Sequence, residues 1–213
     1  GSFSEEAYKF VDFLKDSKQQ YWQILPIGPT SYGDSPYQSF STYAGNPYFI
    51  SLEELIEQGL LTEKECDKVD FGDKIDKVDY EKLYNGRFKL LKKAYKRSNI
   101  REREEFKKFK DENQYWLNDY AMFMAIKERF KGQSFDNWAE DIKLRWGYSM
   151  EYYQNELKEE IEFYEFVQYE FYRQWYKLKK YANDNGVKII GDIPIYVAYD
   201  SADVWSHPEL FQM

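Results

Sequence analysis

The chain has 213 residues, of which 38 are acidic and 30 are basic, and its formal net charge is −8. This length allows one domain with a substantial core, and the acidic balance argues against a nucleic-acid scaffold. The single cysteine, Cys66, excludes an internal disulfide framework and fits a reducing compartment. Because no apolar run approaches ~18 residues and the N-terminus lacks a signal-peptide pattern, we expect a cytoplasmic protein with no membrane or nucleic-acid partner.

The first part of the chain predicts one helix and one strand. Apolar residues recur at i, i+3, i+4 and i+7 from Ala7 to Leu14, which predicts an amphipathic helix over residues 4–18. The apolar run 22–27 is typical of a strand, since turn-forming residues flank it. The loop that follows carries four aromatic residues, Tyr32, Tyr37, Tyr43 and Tyr48.

Helices dominate the middle of the chain. Ser51 and Glu54 have the spacing of a capping box, which predicts a helix that starts at Ser51. Helical periodicity predicts three longer helices, over residues 84–96, 102–130 with a possible break, and 156–180. Gly186 supplies a helix stop, and residues 187–193 predict a second strand. The basic stretch 87–110 is interleaved with glutamates, so we interpret it as a solvated helical face in preference to a polyanion-binding patch.

The order of elements is helix, strand, long helical stretch and strand. Alternation of strands and helices is typical of a parallel sheet, so the predicted fold class is α/β. Two parallel strands alone do not form a sheet that buries both of its faces. The residues by themselves leave this element order unexplained.

The loop tyrosines have two interpretations. Tyrosines on a rigid, glycine-rich loop present flat apolar faces with a polar tip, which suits a pyranose ring. Tyrosines in connecting loops also commonly pack the loop onto its own domain. Composition alone favours this second role.

Long stretches of the sequence resemble one enzyme family. They are WQILPIGP at 22–29, SYGDSPYQSFS at 31–41, AGNP at 44–47, WLNDYAMFMAIKERF at 116–130, YEFYRQWYKLKKYAN at 169–183 and IIGDIPIYVAYDSADVWSHPELF at 189–211. In this order they resemble the 4-alpha-glucanotransferases (amylomaltases or disproportionating enzymes, glycoside hydrolase family 77). Several long matches in order are far more specific than one short pattern.

The resemblance implies part of a (β/α)8 TIM barrel with a large helical insertion, helix-dominated in this chain. On that template the chain carries the first barrel helix and the second and third strands, and it resembles a fragment of a protein more than twice as long. The implied divisions are a barrel portion with the substrate loop at 1–50, a mainly helical insertion at 51–155, and a barrel portion with a long helix and the third strand at 156–213.

The resemblance also implies an activity. It is the retaining transfer of a segment of a 1,4-alpha-D-glucan to glucose or to another 1,4-alpha-glucan, with no cofactor and no metal. The expected partners are malto-oligosaccharides and alpha-1,4-glucans, as in glycogen and starch metabolism. In the family the nucleophilic aspartate, the acid/base glutamate and a third aspartate lie on later strands, and none of those motifs occurs here. We therefore predict no catalytic residue in this chain and no transfer activity for it alone.

Four residues match substrate-binding positions of the family. Asp192 matches a non-nucleophilic aspartate at the cleavage subsite, and Tyr37 matches a tyrosine that lines the same subsite. Ser35 is a weaker neighbouring candidate, and Tyr32 matches an aromatic residue of a secondary glucan-binding groove. Asp192 could alternatively be a turn carboxylate that caps a nearby backbone amide. Tyr32 could alternatively anchor its loop by packing.

Neighbouring residues of the same stretches are interpreted as structural. Asp200, Asp203 and Trp205 belong to YDSADVW, where Asp200 or Ser201 is expected to cap the following turn. His207 is the only histidine, so it forms neither a zinc site nor a catalytic triad by itself.

Two other functions are compatible with the residues. One is a stand-alone carbohydrate-binding module that uses the tyrosine loop, and the other is a helical interaction protein with no role in sugar binding. The length of the natural open reading frame distinguishes these alternatives from the enzyme.

Overall fold

The computed structural model describes residues 2–30, 35–72, 77–194 and 196–212, and helices dominate these ranges. The helices are α1 (Glu5–Asp16), α2 (Leu52–Glu57), α3 (Glu63–Cys66), α4 (Tyr80–Arg97), α5 (Glu104–Arg129), α6 (Glu140–Lys143), α7 (Gly147–Glu156), α8 (Lys158–Asp184) and α9 (Ala202–Ser206). The strands in the same ranges are β1 (Tyr21–Gln23) and β2 (Lys188–Ile190). None of the described helices is long and apolar enough to cross a membrane.

Strands β1 and β2 pair in parallel, which confirms the predicted direction of the sheet. Their register places Trp22 opposite Ile189, and the ladder continues where the Ile24 N–H donates to the Ile190 carbonyl at 2.9 Å. Both strands are three residues long and therefore shorter than the predicted runs. Pro26 has no N–H to donate, so the chain leaves the ladder soon after Ile24.

Helix α1 has the predicted amphipathic pattern. Val11 and Leu14 are buried on one face, and Ser4 stands at the N-cap position with extended backbone. The helix ends at Asp16, slightly earlier than predicted. Lys18 takes a positive φ of 58°, which is incompatible with a further helical turn.

The predicted long helices are present, with shifted ends. Helix α4 begins at Tyr80, one turn before the predicted start, because the Asp79 carboxylate caps it by accepting from the Lys82 N–H at 3.1 Å. Helix α5 is continuous, so the predicted possible break is absent. Helix α8 extends to Asp184, and Gly186 follows with a φ of 79°, as expected for a helix stop.

The chain divides into two compact units. The first comprises residues 1–25, 46–103 and 169–192, and the second comprises residues 26–45, 104–168 and 193–213. Helix α8 belongs to the second unit up to Gln168 and to the first unit from Tyr169. The three-part division at residues 50 and 155 stays a prediction.

In the first unit, one half of the predicted capping box is present. Ser51 Oγ accepts from the Glu54 N–H at 3.3 Å and caps α2. The other half is wrong, because the Glu54 carboxylate pairs with Arg173 and Lys177 at 3.1 and 2.5 Å. The Ser51 N–H instead donates to Gln174 Oε1 at 2.6 Å. Two cations from α8 attract a carboxylate more strongly than one local amide does.

The core of the second unit is aromatic. The rings of Phe123, Trp138 and Trp205 have centroids 5.5 to 5.8 Å apart. Trp205 is 2% exposed and donates from Nε1 to the Ile142 carbonyl at 3.1 Å. The indole ring is thus buried and its N–H is paired, in line with the structural interpretation of this residue.

Candidate functional site

The loop after β1 holds two of the predicted site residues in one turn, while Tyr32 lies outside the described residues. The Tyr37 N–H donates to Ser35 Oγ at 3.3 Å, and the Gln38 N–H donates to the Ser35 carbonyl at 3.2 Å. Ser35 therefore uses its hydroxyl oxygen to shape the turn. Tyr37 is 44% exposed, which leaves much of the residue accessible to a ligand.

Asp192 lies two residues beyond β2 and is exposed. Because β1 and β2 are parallel, their carboxyl ends meet at one edge of the sheet, the edge where ligand sites of α/β proteins form. Leu25 leaves β1 at this edge and is 60% exposed. The structure thus brings Ser35 and Tyr37 together in the second unit and places Asp192 in the first unit, at the end of its strand.

Buried serines brace the next part of the loop. Ser39 Oγ donates to the Ser41 carbonyl at 2.7 Å, and Ser41 Oγ accepts from the N–H groups of Tyr43 and Ala44 at 3.2 and 3.3 Å. Gly28 lies against them, since a Cβ at this position would be 3.0 Å from Ser39 Oγ. Hydroxyl groups thus satisfy backbone groups that a buried loop would otherwise leave unpaired.

Asp203 joins α9 to the same loop. Its Oδ2 accepts from both the N–H and the Oγ1 hydroxyl of Thr42, at 2.7 and 3.1 Å. The Ala202 N–H donates to the Phe40 carbonyl at 2.8 Å and adds a second connection. Burial raises the pKa of Asp203, and the two hydrogen bonds from Thr42 act against that rise. These contacts agree with the structural interpretation of Asp203, although the sequence did not predict its partner Thr42.

Lys127 holds the same part of the loop and was missed by sequence reasoning. It is 6% exposed, and its Nζ lies 2.5 Å from Asp200 Oδ2. The ammonium also lies 5.3 and 5.5 Å from the ring centroids of Phe40 and Phe123. Asp200 Oδ1 accepts from the Phe135 N–H at 3.2 Å. Lys127 lies in the family-like stretch 116–130 and at i, i+4 from Phe123 on α5, but many solvated lysines share that spacing.

The remaining residues singled out in this region have local roles. Ser201 Oγ accepts from the Val204 N–H at 3.2 Å, so Ser201 supplies the cap that was predicted for Asp200 or Ser201. His207 is exposed, with Nδ1 3.2 Å from Glu209 Oε1. Among the residues described by the structure, no group of three His, Cys, Asp or Glu side chains is arranged to hold a metal ion.

Comparison with known sequences identifies the class of protein. Residues 1–213 match a family described as 4-alpha-glucanotransferase. The chain belongs to the 4-alpha-glucanotransferase family.

Individual relatives agree with this assignment. The chain is 51% identical over 211 residues to the 4-alpha-glucanotransferase of Clostridium butyricum, covering 99% of this chain and 43% of that protein. It is 50% identical over 214 residues to that of Streptococcus pneumoniae (strain ATCC BAA-334 / TIGR4), covering 100% and 42%. The solved amylomaltase from Streptococcus agalactiae in complex with acarbose superimposes with a TM-score of 0.94 at 44% identity, covering 100% of this chain and 43% of that one. The chain thus spans less than half the length of these relatives.

Proposed function

We propose that this chain forms the donor-binding part of a 4-alpha-glucanotransferase, which transfers a segment of a 1,4-alpha-D-glucan to glucose or to another 1,4-alpha-glucan. The observation that carries the proposal is the family match over residues 1–213, together with the TM-score of 0.94 to an amylomaltase over the whole chain. The complex of that amylomaltase with acarbose supports a glucan-like ligand for this chain.

The fold proposed for the longer protein is a (β/α)8 barrel, in which α1 is the first barrel helix and β1 and β2 are the second and third strands. Two features support it. The strands are parallel although more than 160 residues separate them, from Gln23 to Lys188. The candidate site residues also follow the carboxyl ends of these strands, where barrel enzymes place their sites.

Within this site the proposed roles follow from chemistry. Asp192 accepts hydrogen bonds from the hydroxyls of the sugar at the cleavage subsite, and the ring of Tyr37 lines that subsite. Ser35 shapes the turn that presents Tyr37. Tyr32 is proposed for a more distant glucan contact.

The proposed reaction is a double displacement with retention. In such reactions a carboxylate attacks the anomeric carbon while a second carboxyl group protonates the departing oxygen, and a sugar hydroxyl then takes the glucosyl group from the enzyme. The sequence motifs for both carboxyl groups are absent from this chain. Its residues therefore bind and orient the donor glucan.

The test is disproportionation of maltotriose by the longest natural form of the protein. The expected early products are glucose and maltopentaose in equal amounts. The total number of reducing ends should stay constant. Growth of reducing ends would indicate hydrolysis, and binding of maltotriose without new products would indicate a carbohydrate-binding module. Either outcome contradicts the proposal.

A further inference from the structure

Two hydrogen-bonded turns follow each other along the chain between the exposed Tyr37 and Thr42. The first turn is closed where the Tyr37 N–H donates to Ser35 Oγ, and the second where Ser39 Oγ donates to the Ser41 carbonyl. The Ser41 N–H donates back to Ser39 Oγ at 3.2 Å. Only four residues separate Tyr37 from Thr42, and the turns on this segment restrict its backbone, so a displacement of Thr42 also displaces the turn that carries Tyr37.

Two contacts from outside the loop fix this segment. Asp203 on α9 binds both the N–H and the hydroxyl of Thr42 with a single oxygen atom. Lys127 on α5 places its ammonium against the ring of Phe40 while it pairs with Asp200. Both anchors are separated from the loop by more than 80 residues, since Thr42 and Asp203 lie 161 positions apart. They therefore fix the loop only in the folded protein.

We propose that Asp203 and the Lys127–Asp200 pair are positioning residues, which hold Tyr37 in the conformation that receives the donor glucan. This inference rests on the proposed transferase function. Neither anchor touches the sugar; each acts by restricting the loop that carries Tyr37.

Loss of an anchor should change KM and not kcat. If an anchor is removed, only a fraction of the molecules present the loop in the binding conformation, and the apparent dissociation constant rises by the inverse of that fraction. Saturating donor restores the competent conformation, so kcat is retained. A residue that only stabilises the fold acts differently, because its loss lowers the concentration of folded enzyme and thus the apparent kcat, with KM unchanged.

The variants are Asp203→Ala and Asp203→Asn in the longest natural form of the protein. Asp203→Ala removes both hydrogen bonds to Thr42, whereas Asp203→Asn keeps an acceptor oxygen without its charge. The matched control is Asp141→Asn, since Asp141 accepts a hydrogen bond from the Ser149 hydroxyl within the α6–α7 region of the same unit. For maltotriose we expect KM to rise about tenfold in Asp203→Ala and about threefold in Asp203→Asn, with kcat within about twofold of the parent.

Deuterium exchange of residues 35–44 provides a second readout that does not depend on activity. Faster exchange in Asp203→Ala but not in Asp141→Asn, together with the rise in KM, is the expected result. Unchanged exchange, or faster exchange with unchanged KM, overturns the inference. A parent protein that produces no glucose from maltotriose overturns the proposed function instead, while a fully active parent with an unshifted KM in Asp203→Ala overturns this inference alone.

Discussion

Gln168 binds both backbone groups of Gly45. The Gly45 N–H donates to Gln168 Oε1 at 2.7 Å, and Gln168 Nε2 donates to the Gly45 carbonyl at 3.0 Å. Gln168 is 0% exposed, so this side-chain amide supplies the pairing that a neighbouring strand would give elsewhere. The contact fixes the end of the tyrosine loop to α8 within the second unit.

Replacing Gln168 with leucine is expected to destabilise the protein by about 3 kcal/mol, because a buried N–H and a buried carbonyl lose their partners. Gln154→Leu is the matched control, since Gln154 is an exposed residue of helix α7. Chemical denaturation of the longest natural form measures both effects. Equal stabilities for the two variants would show that water satisfies Gly45 equally well.

A second prediction concerns the contribution of the Lys127–Asp200 pair to the stability of the protein. Lys127→Met leaves Asp200 without its cation, and we expect a loss of about 2 kcal/mol, below the range for a fully buried pair because the Asp200 side chain is 29% exposed. The double variant Lys127→Met/Asp200→Asn should recover part of this loss, since the uncompensated charge is gone. Denaturation of Lys127→Met, Asp200→Asn and the double variant measures this coupling, and additive losses would contradict it.

Glu65 gives a pH-dependent prediction in the first unit. Its two oxygens bind Arg97 at 2.7 and 2.8 Å, and these hydrogen bonds lower the pKa of Glu65 from 4.5 to about 2. Because the folded pKa lies below the unfolded value, the stability from this pair is present above pH 4.5 and is lost as the pH falls towards 2.

Glu65→Gln tests the assignment. The gap in unfolding free energy between parent and variant should be constant from pH 7 to about 5, and should shrink steadily below pH 4.5. A gap that keeps its size down to pH 3 would mean that Glu65 and Arg97 do not form an ion pair in solution. Lys9→Gln is a useful comparison, because Lys9 pairs with Glu5 and Glu6, which are exposed.

Asp192 and Tyr32 should respond differently to substitution in the longest natural form. Asp192→Asn is expected to lower kcat on maltotriose roughly 100-fold, because an acceptor at the cleavage subsite binds most strongly in the transition state. Tyr32→Ala should leave kcat on maltotriose nearly unchanged and raise KM only for long glucans. Equal effects of both substitutions on maltotriose would contradict these roles.

The sequence predicted those parts of the fold that depend on local patterns. The period of α1, the cap at Ser51 and the stop at Gly186 are all set by residues within a few positions of one another. Glu54 illustrates the limit, since its local partner was outcompeted by Arg173 and Lys177 from a helix 119 and 123 positions away.

The candidate site has the same limit. Resemblance to a family supplied Asp192 and Tyr37, because the stretches that carry them are long and specific. Lys127 lies in such a stretch and Gln168 lies just outside one, but neither received a role, since a lysine and a glutamine on helices are usually solvated. Their roles depend on which loop packs against them, and single-sequence patterns do not encode that pairing.

The last prediction concerns the 213-residue chain by itself. It should show no glucose release from maltotriose above a heat-killed control, because the nucleophile and acid/base motifs are absent from its sequence. It should also fold with weak cooperativity. Among the described residues β1 pairs only with β2, and Leu25 and Ile190 near the ends of these strands are 60% and 46% exposed. Strand edges and apolar side chains exposed in this way favour association between chains.

The helices contain most of the buried side chains, so strong helical circular dichroism should persist while the thermal transition is broad and the mass in solution exceeds that of a monomer. The substitution Ile190→Lys should reduce this association, since a charge on an edge strand opposes pairing with another copy. A sharp two-state melt from a monomer at low concentration would contradict this prediction, because it would mean that the two strands are already covered within one chain. That result would favour the stand-alone carbohydrate-binding module over part of a larger barrel.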